Sequence, residues 1–315
     1  MAQNHTPRPQ TSISPRAWVY MGLLALLWGC AFPATRTALN EVGVLTTVAF
    51  RVAGGAMALW IVIFLRGLPV RGGWRIMLVF AVMGLLNNVV PWSLIVWGQQ
   101  HIPSGLAAIL NASTAIFTVL LASLAFADER LTSRKIIGVL LGLSGVIVVM
   151  GVSALTALDL TSLSQLAILA ASLCYGCAGI FARRFMVGQP PEVAAAGMLS
   201  ASSVVMIPMA IHTEGLPSTH YLPVTWAALV YLGVVGSALA FLCYYRALRL
   251  AGAGNVSLVT LMIAPVSVVL GALMFDEALN LSDYAGFLLL ALGLLVIDGR
   301  LDRWLFKTAQ VSESA

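Results

Sequence analysis

Apolar residues occur along this chain in runs of about 20 residues or more, separated by short polar breaks. A helix rises 1.5 Å per residue, so one such run is long enough to cross a bilayer hydrocarbon core of roughly 30 Å. The pattern predicts ten membrane-spanning helices, numbered spans 1 to 10, at residues 17–38, 44–65, 75–98, 103–126, 134–153, 163–184, 190–211, 222–246, 253–275 and 282–299.

Composition supports a lipid environment. Hydrophobic residues make up 60% of the chain and charged residues 9%, with a mean hydropathy of +0.96. A soluble domain carries roughly a quarter charged residues on its water-facing surface, which this chain cannot supply. All four cysteines lie inside predicted spans, so we expect no disulfide framework.

The basic residues indicate how the chain is oriented. They cluster in alternate connections, such as the one between spans 2 and 3, while the other connections hold acidic and histidine side chains. Lys and Arg favour the cytoplasmic side of short loops, so both termini are predicted to be cytoplasmic. The pI near 9.3 then reflects topology, and no nucleic-acid partner is needed to explain it.

An internal repeat explains the even number of spans. "WGCAFPATR" at 28–36 recurs as "YGCAGIFAR" at 175–183, an offset of 147, and "FADERL" at 126–131 recurs as "MFDEAL" at 274–279, an offset of 148. Each copy has five spans, so the second copy crosses the membrane inverted. We predict an all-α membrane protein of two inverted five-helix repeats, with a disordered cytoplasmic N-terminus at 1–15, repeats at 16–153 and 154–299, and a cytoplasmic tail at 300–315.

The repeated motifs resemble the drug/metabolite transporter superfamily with paired EamA domains. The resemblance covers nearly the whole chain and rests on "WGCAF", on the run from Asn87 to Val149, and on its counterpart from Tyr244 to Val296. Within the superfamily the chain looks most like YddG-type amino-acid exporters of bacterial inner membranes. The resemblance implies a multi-pass inner-membrane carrier of small molecules, with exporters of drugs or other metabolites as the alternative.

Polar groups at mid-span depth are costly against lipid, so they predict a central cavity. Asn87 and Asn88 precede Pro91, which leaves a carbonyl unpaired, and Pro33 repeats this device in span 1. The alternatives to a cavity lining are that the polar side chains hydrogen-bond neighbouring helices and that the aromatic rings anchor the spans at the membrane interface. The predicted cavity residues are Trp28, Asn87, Asn88, Trp92, Asn111, Ser113, Tyr175, Ser237 and Tyr244, and the predicted hinges are Pro33, Pro91 and Pro265.

Two arginines, Arg36 and Arg51, lie toward the outer side, against the cytoplasmic rule. Each could snorkel to the interface, or could contact an anionic group such as a substrate carboxylate. On span 5, Gly138 and Gly142 form a GxxxG pair that predicts close helix packing, with a dimer face as the alternative. We expect a monomer in the bilayer.

Other functional classes lack their motifs. The sequence contains no HExxH, GxSxG or P-loop pattern, so we expect neither an enzyme nor an ATP-driven pump, and no cofactor or metal. An ion channel is the rival class, although no ring of charges or filter-like segment appears. No Asp, Glu or His lies at mid-span depth, which predicts facilitated transport that responds little to a pH difference.

Overall fold

The computed structural model describes residues 14–70, 72–126, 132–150, 160–186, 189–251, 256 and 259–298. Residues 1–13 of the predicted disordered N-terminus, the predicted tail, and the acidic pair Asp128 and Glu129 lie outside these residues. Ser14 and Pro15, which also belong to the segment predicted to be disordered, cap and begin the first helix.

Within the described ranges every regular element is a helix, and the predicted all-α fold of ten spans is confirmed. Four spans are interrupted: 1, 3, 4 and 8. The bounds of the spans, in chain order, are Pro15–Gly29 with Ala31–Ala38; Val44–Leu65; Trp74–Gly84, Leu85–Val89 and Val90–Gly98; Ser104–Asn111 with Thr114–Ala125; Ser133–Met150; Leu160–Phe185; Pro191–Glu214; Pro223–Val230, Tyr231–Leu239 and Ala240–Ala251; Val259–Phe275; and Leu281–Asp298.

The outer surface of the helical bundle is suited to lipid. Seven of the described helices are long and apolar enough to cross a membrane, and spans 5, 9 and 10 are shorter apolar helices beside them. Large hydrophobic side chains point outward, including Phe64 at 85% exposure and Leu124 at 83%. Such exposure is stable against hydrocarbon, so the chain is a multi-pass membrane protein.

Spans 5 and 10 pack through glycines in a symmetric pattern. A Cβ on Gly145 would lie 2.6 Å from the carbonyl oxygen of Gly286, and one on Gly138 would lie 2.6 Å from that of Gly293. The repeat offset of 148 converts 138 into 286 and 145 into 293, so each contact is the image of the other. Pairing of this reciprocal kind is the signature of two-fold symmetry, here between two inverted halves of one chain.

The GxxxG pair of span 5 therefore serves packing inside the chain. Gly138 faces span 10, and a Cβ on Gly142 would collide with the side chain of Ile116 in span 4. Small residues allow helix backbones to approach closely in a membrane, where no hydrophobic force holds helices together.

Spans 3 and 8 both unwind into π-helix at equivalent positions. The π segment Leu85–Val89, shifted by 148, falls on 233–237, inside the π segment Tyr231–Leu239. In span 3 the segment precedes Pro91, which cannot donate a backbone hydrogen bond. Span 8 has no proline within this segment, so the unwinding there was not predicted.

Apart from spans 5 and 10, the spans form two groups of packed helices, called walls here, and a pair of helices that packs against both groups. Spans 3, 4 and 6 pack together as one wall, and span 1 packs against spans 8 and 9 as the other. Spans 2 and 7 pack along each other and support both walls. Span 9 packs on the first half of span 4, Ser104–Asn111, but the two helices do not pack together along the second half, Thr114–Ala125, in the described residues. The walls therefore diverge toward the face that carries the chain termini.

Gly145→Ala tests the glycine contact. The added methyl group would lie 2.6 Å from the carbonyl oxygen of Gly286, so the spans must separate. We expect the free energy of unfolding to fall by about 1–3 kcal/mol, the usual cost of overpacking. Gly22→Ala is the matched control, because its Cβ meets nothing within 4 Å. Thermal melting in detergent should separate the two variants, and equal melting temperatures would contradict this account.

Candidate functional site

A cavity of about 590 Å³ lies between the two walls. At the face of the termini it reaches the connection between spans 6 and 7, where Met186, Gln189 and Pro191 line it. At its other end it stops in the protein interior, near Thr35 and Gln99. The described lining therefore extends to the face of the termini and ends among buried residues toward the opposite face. Its volume is in the range typical of small-molecule sites.

Six of the nine predicted cavity residues line this space: Trp28, Asn87, Trp92, Asn111, Tyr175 and Tyr244. Trp28 and Tyr175 occupy equivalent positions in the two repeats, at an offset of 147. The Trp28 and Tyr244 rings are 5.9 Å apart and tilted by 37°. The resulting surface is largely aromatic and apolar, with amide groups from Asn87 and Asn111.

The other three predicted residues, Asn88, Ser113 and Ser237, are fully buried and do not line this cavity, and their contact with a substrate stays a prediction. Asn88 donates a hydrogen bond to Ser202 Oγ of span 7 at 3.1 Å, so it holds helices together. Ser237 donates to the carbonyl of Leu232, a bond that belongs to the π segment. The Oγ of Ser113 has no described partner at the break in span 4.

Arg51 places a positive charge in the cavity. Its guanidinium carbon lies 3.8 Å from the centre of the Trp92 ring, a stacked cation–π arrangement. Its Nε donates a long hydrogen bond of 3.4 Å to Ser237 Oγ. Arg51 thus lies on the inner face of span 2, not at the lipid interface, which removes the snorkelling alternative for this residue.

Arg36 bonds a backbone carbonyl, a contact different from the two considered from the sequence, snorkelling to the membrane interface and binding of an anionic group. Its Nη1 donates to the backbone carbonyl of Gln99 at 2.8 Å, joining the end of span 1 to the end of span 3. These spans belong to opposite walls, so the contact closes the cavity at the end near Thr35 and Gln99.

Glu277 makes a second closing contact. Its carboxylate accepts hydrogen bonds from the backbone N–H of Ser104 at 2.9 Å, from the Ser104 hydroxyl at 2.8 Å and from the N–H of Gly105 at 3.3 Å. A carboxylate is favourable at a helix N-terminus, where N–H groups lack partners. This cap ties the end of span 9 to the start of span 4, the point from which the walls diverge.

Two further carboxylates cap helices on the same face. Glu214 accepts from the N–H groups of Leu45 and Thr46 at 2.9 Å each, and Glu41 accepts from the N–H of Leu222 and the hydroxyl of Thr225. These caps join spans 7 and 2, and spans 1 and 8, which also pack against each other elsewhere. Only the Glu277 cap, of these three, joins one wall to the other.

Gln99 is a lining residue that the sequence analysis missed. Both polar atoms of its side-chain amide are buried without a described partner. It follows Trp92 by seven residues and Ile95 by four, spacings that place all three on one face of span 3. That spacing is a signal that could have identified it once Trp92 was chosen. No group of three His, Cys, Asp or Glu suited to a metal occurs in the described residues.

The three predicted hinges have different surroundings. Pro33 lies in the short helix after the break at Cys30, and Pro91 follows the π segment of span 3. Pro265 lies within the continuous helix of span 9. Their role in bending stays a prediction.

Comparison with known proteins agrees with this architecture. A transporter of Bacillus subtilis (strain 168), itself uncharacterized, is 20% identical over 280 residues, covering 88% of this chain and 96% of that protein. A "probable terminal-alkyne amino-acid exporter" of Streptantibioticus cattleyicolor is 28% identical over 291 residues, covering 91% and 95%. A solved crystal structure shares the fold with a TM-score of 0.66 at 23% identity, covering 91% of this chain and 99% of that one.

The family assignment follows from both halves of the chain. The sequence profile of the EamA-like transporter family matches residues 16–151 and again residues 162–298, one match for each set of five spans. Together the two matches include most of the chain and all ten spans. The chain therefore belongs to the EamA-like transporter family.

Proposed function

We propose that this protein is a facilitative transporter that exports small amphipathic metabolites, chiefly amino acids including aromatic ones, across a bacterial inner membrane. The observation that carries the proposal is the cavity between the walls, with the Arg51 guanidinium stacked on Trp92 and the Trp28, Tyr175 and Tyr244 rings around it. A carboxylate would pair with the guanidinium, and an apolar side chain would fill the aromatic part.

The direction follows from the orientation of the chain. The basic connections predict that the face of the termini is cytoplasmic, so the cavity would load from the cytoplasm. Release then requires closure at that face and opening at the other. The inverted repeat supports such alternation, because each half can adopt the conformation that its image holds.

Amino acids are favoured as the substrate class by the Streptantibioticus cattleyicolor relative, whose name describes an amino-acid exporter. Export of drugs or other metabolites is the runner-up, and it would require no carboxylate contact at Arg51. An ion channel fits less well, because the cavity stops at Thr35 and Gln99 instead of continuing as a pore. Bending at Pro33, Pro91 and Pro265 is part of the proposed cycle.

Arg51→Gln tests the carboxylate contact. A hydrogen bond to a charged group contributes about 1.5–3 kcal/mol, so the half-saturating concentration of labelled phenylalanine should rise about 10- to 100-fold. The half-saturating concentration of Arg51→Lys should lie between those of the wild type and Arg51→Gln, because a lysine keeps the charge but loses the planar guanidinium. Uptake into proteoliposomes measures both variants.

Arg66→Gln is the control for that experiment. Arg66 follows the last residue of span 2, pairs with Glu192 at 3.7 Å and does not line the cavity. Its loss should leave half-saturation near the wild-type value. If Arg51→Gln behaves like Arg66→Gln while both variants melt near the wild-type temperature, Arg51 does not contact the substrate.

Glu277→Gln tests closure of the cavity. The amide replaces one acceptor oxygen with a donor that faces the Ser104 and Gly105 N–H groups, so the cap weakens. Loss of about 1 kcal/mol would raise the population open to the opposite face about fivefold. The readout is Asn87→Cys, in a background without the native cysteines, labelled by an impermeant thiol reagent applied to the face opposite the termini.

Glu214→Gln is the matched control, since it removes a similar cap between spans 2 and 7, which pack together in any case. Its labelling rate should stay at the parent value even if its melting temperature falls. Equal labelling of the two variants would show that the Glu277 cap does not hold the walls closed.

A further inference from the structure

The charges around the cavity do not balance. Arg51 is the only charged side chain among the described residues that line it. The one ion pair found within the described ranges joins Arg66 to Glu192 and does not involve Arg51. An isolated charge in a low-dielectric interior is costly, so an occupied cavity is favoured when the occupant brings a compensating negative charge.

The described carboxylates are engaged or distant from this guanidinium. Glu41, Glu214 and Glu277 cap helices at the closed face. Glu192, near the wide end of the cavity, lies 3.7 Å from Arg66. Asp276 and Asp283 flank the connection between spans 9 and 10 on the closed face, and Asp283 accepts from the N–H of Asn280. Asp298 is the last residue of span 10. None of them lines the cavity.

The geometry of Arg51 suits a single carboxylate. One face of its guanidinium is covered by the Trp92 ring, and among the described residues only its Nε has a hydrogen-bond partner, Ser237 Oγ at 3.4 Å. The terminal N–H groups remain to donate, and a guanidinium edge binds a carboxylate through two parallel hydrogen bonds. Stacking on Trp92 keeps the guanidinium plane in place before the ligand arrives.

A substrate ammonium finds much weaker partners. The described lining offers it neutral acceptors: the side-chain oxygens of Asn111, Gln99 and Gln189, which have no described hydrogen-bond partner, and the faces of the Trp28 and Tyr244 rings. It offers no carboxylate, while Arg51 repels a second cation. A ligand of net charge −1 therefore neutralises the charge of Arg51 in the cavity. A zwitterion leaves one positive charge without a counter-ion.

From this imbalance we propose that the preferred cargo is a monoanionic carboxylate without a charged amine, such as a 2-oxo, 2-hydroxy or N-acyl derivative of an amphipathic amino acid. The inference rests on the proposed export of amphipathic metabolites, and within that group it favours monoanionic derivatives of amino acids over the zwitterionic amino acids themselves. Each cycle then carries one negative charge out of the cell. The membrane potential, negative inside, drives export of that charge.

This charge movement supplies an energy source that needs no proton carrier. The described lining contains no Asp, Glu or His. One elementary charge moved through about 100 mV changes its free energy by about 2.3 kcal/mol, which corresponds to about a 50-fold concentration ratio at equilibrium. A pH difference alone would produce no such accumulation.

The experiment uses four solutes that share one aromatic ring: phenylpyruvate, N-acetylphenylalanine, phenylalanine and phenethylamine. Uptake is measured in proteoliposomes whose potential is set by a potassium gradient and valinomycin, with protein-free liposomes as the blank. The two anions should saturate at concentrations at least about tenfold below that of phenylalanine, the effect of one unpaired charge contact. Their steady-state ratio should change about 50-fold for about 100 mV and should not respond to a pH step at zero potential.

Arg51→Gln separates a charge effect from a fit to the ring. The variant should lose the preference for the two anions while Arg66→Gln keeps it, with both proteins showing wild-type melting temperatures. Retention of the anion preference in Arg51→Gln would overturn the inference.

The outcomes also distinguish this inference from the function on which it rests. Saturable transport that favours phenylalanine or phenethylamine, or uptake of the anions that ignores the potential, overturns the anion preference and leaves an exporter of amphipathic metabolites. Absence of saturable transport for all four solutes overturns the aromatic amino-acid class itself, and the anion inference with it.

Discussion

Backbone hydrogen bonding is the constraint on which this structure depends. In hydrocarbon every N–H and C=O group needs a partner within the protein, so a helix can be interrupted only where protein or a cavity surrounds it. The four interrupted spans, 1, 3, 4 and 8, all contribute to the cavity lining, beside the continuous spans 2, 6, 7 and 9. Spans 5 and 10, which do not reach the cavity, are continuous helices in the described residues. The same constraint therefore decides where the chain can be irregular and where a polar ligand can be received.

The repeat supplies a symmetric frame, and the cavity obtains its chemistry from departures from that symmetry. The glycine contacts of spans 5 and 10 are images of each other, as are the π segments of spans 3 and 8. Arg51, by contrast, corresponds at the offset of 147 to Met198, and both line the cavity. One copy thus provides a charge and the other an apolar surface, which makes the site amphipathic.

The two walls contact each other toward the closed face, where span 9 packs on the first half of span 4. Spans 4 and 9 meet only at one end in the described residues, where Glu277 caps Ser104 and Gly105. Arg36 adds a hydrogen bond to the carbonyl of Gln99 between spans 1 and 3. A small number of polar contacts at one end can be exchanged at modest cost, as a protein with two alternative conformations requires.

The sequence alone determined the spans, the inverted repeat and the family, because hydrophobic run length and an odd number of helices per copy leave little choice of architecture. Prolines also located the irregular part of span 3. The tertiary structure decided which way each side chain points. Asn87 lines the cavity and Asn88 binds Ser202, although the two are adjacent, since one residue turns a helix by about 100°. It also placed Arg51 over Trp92 and Arg36 on Gln99, because the partner of a charged side chain depends on how the helices pack.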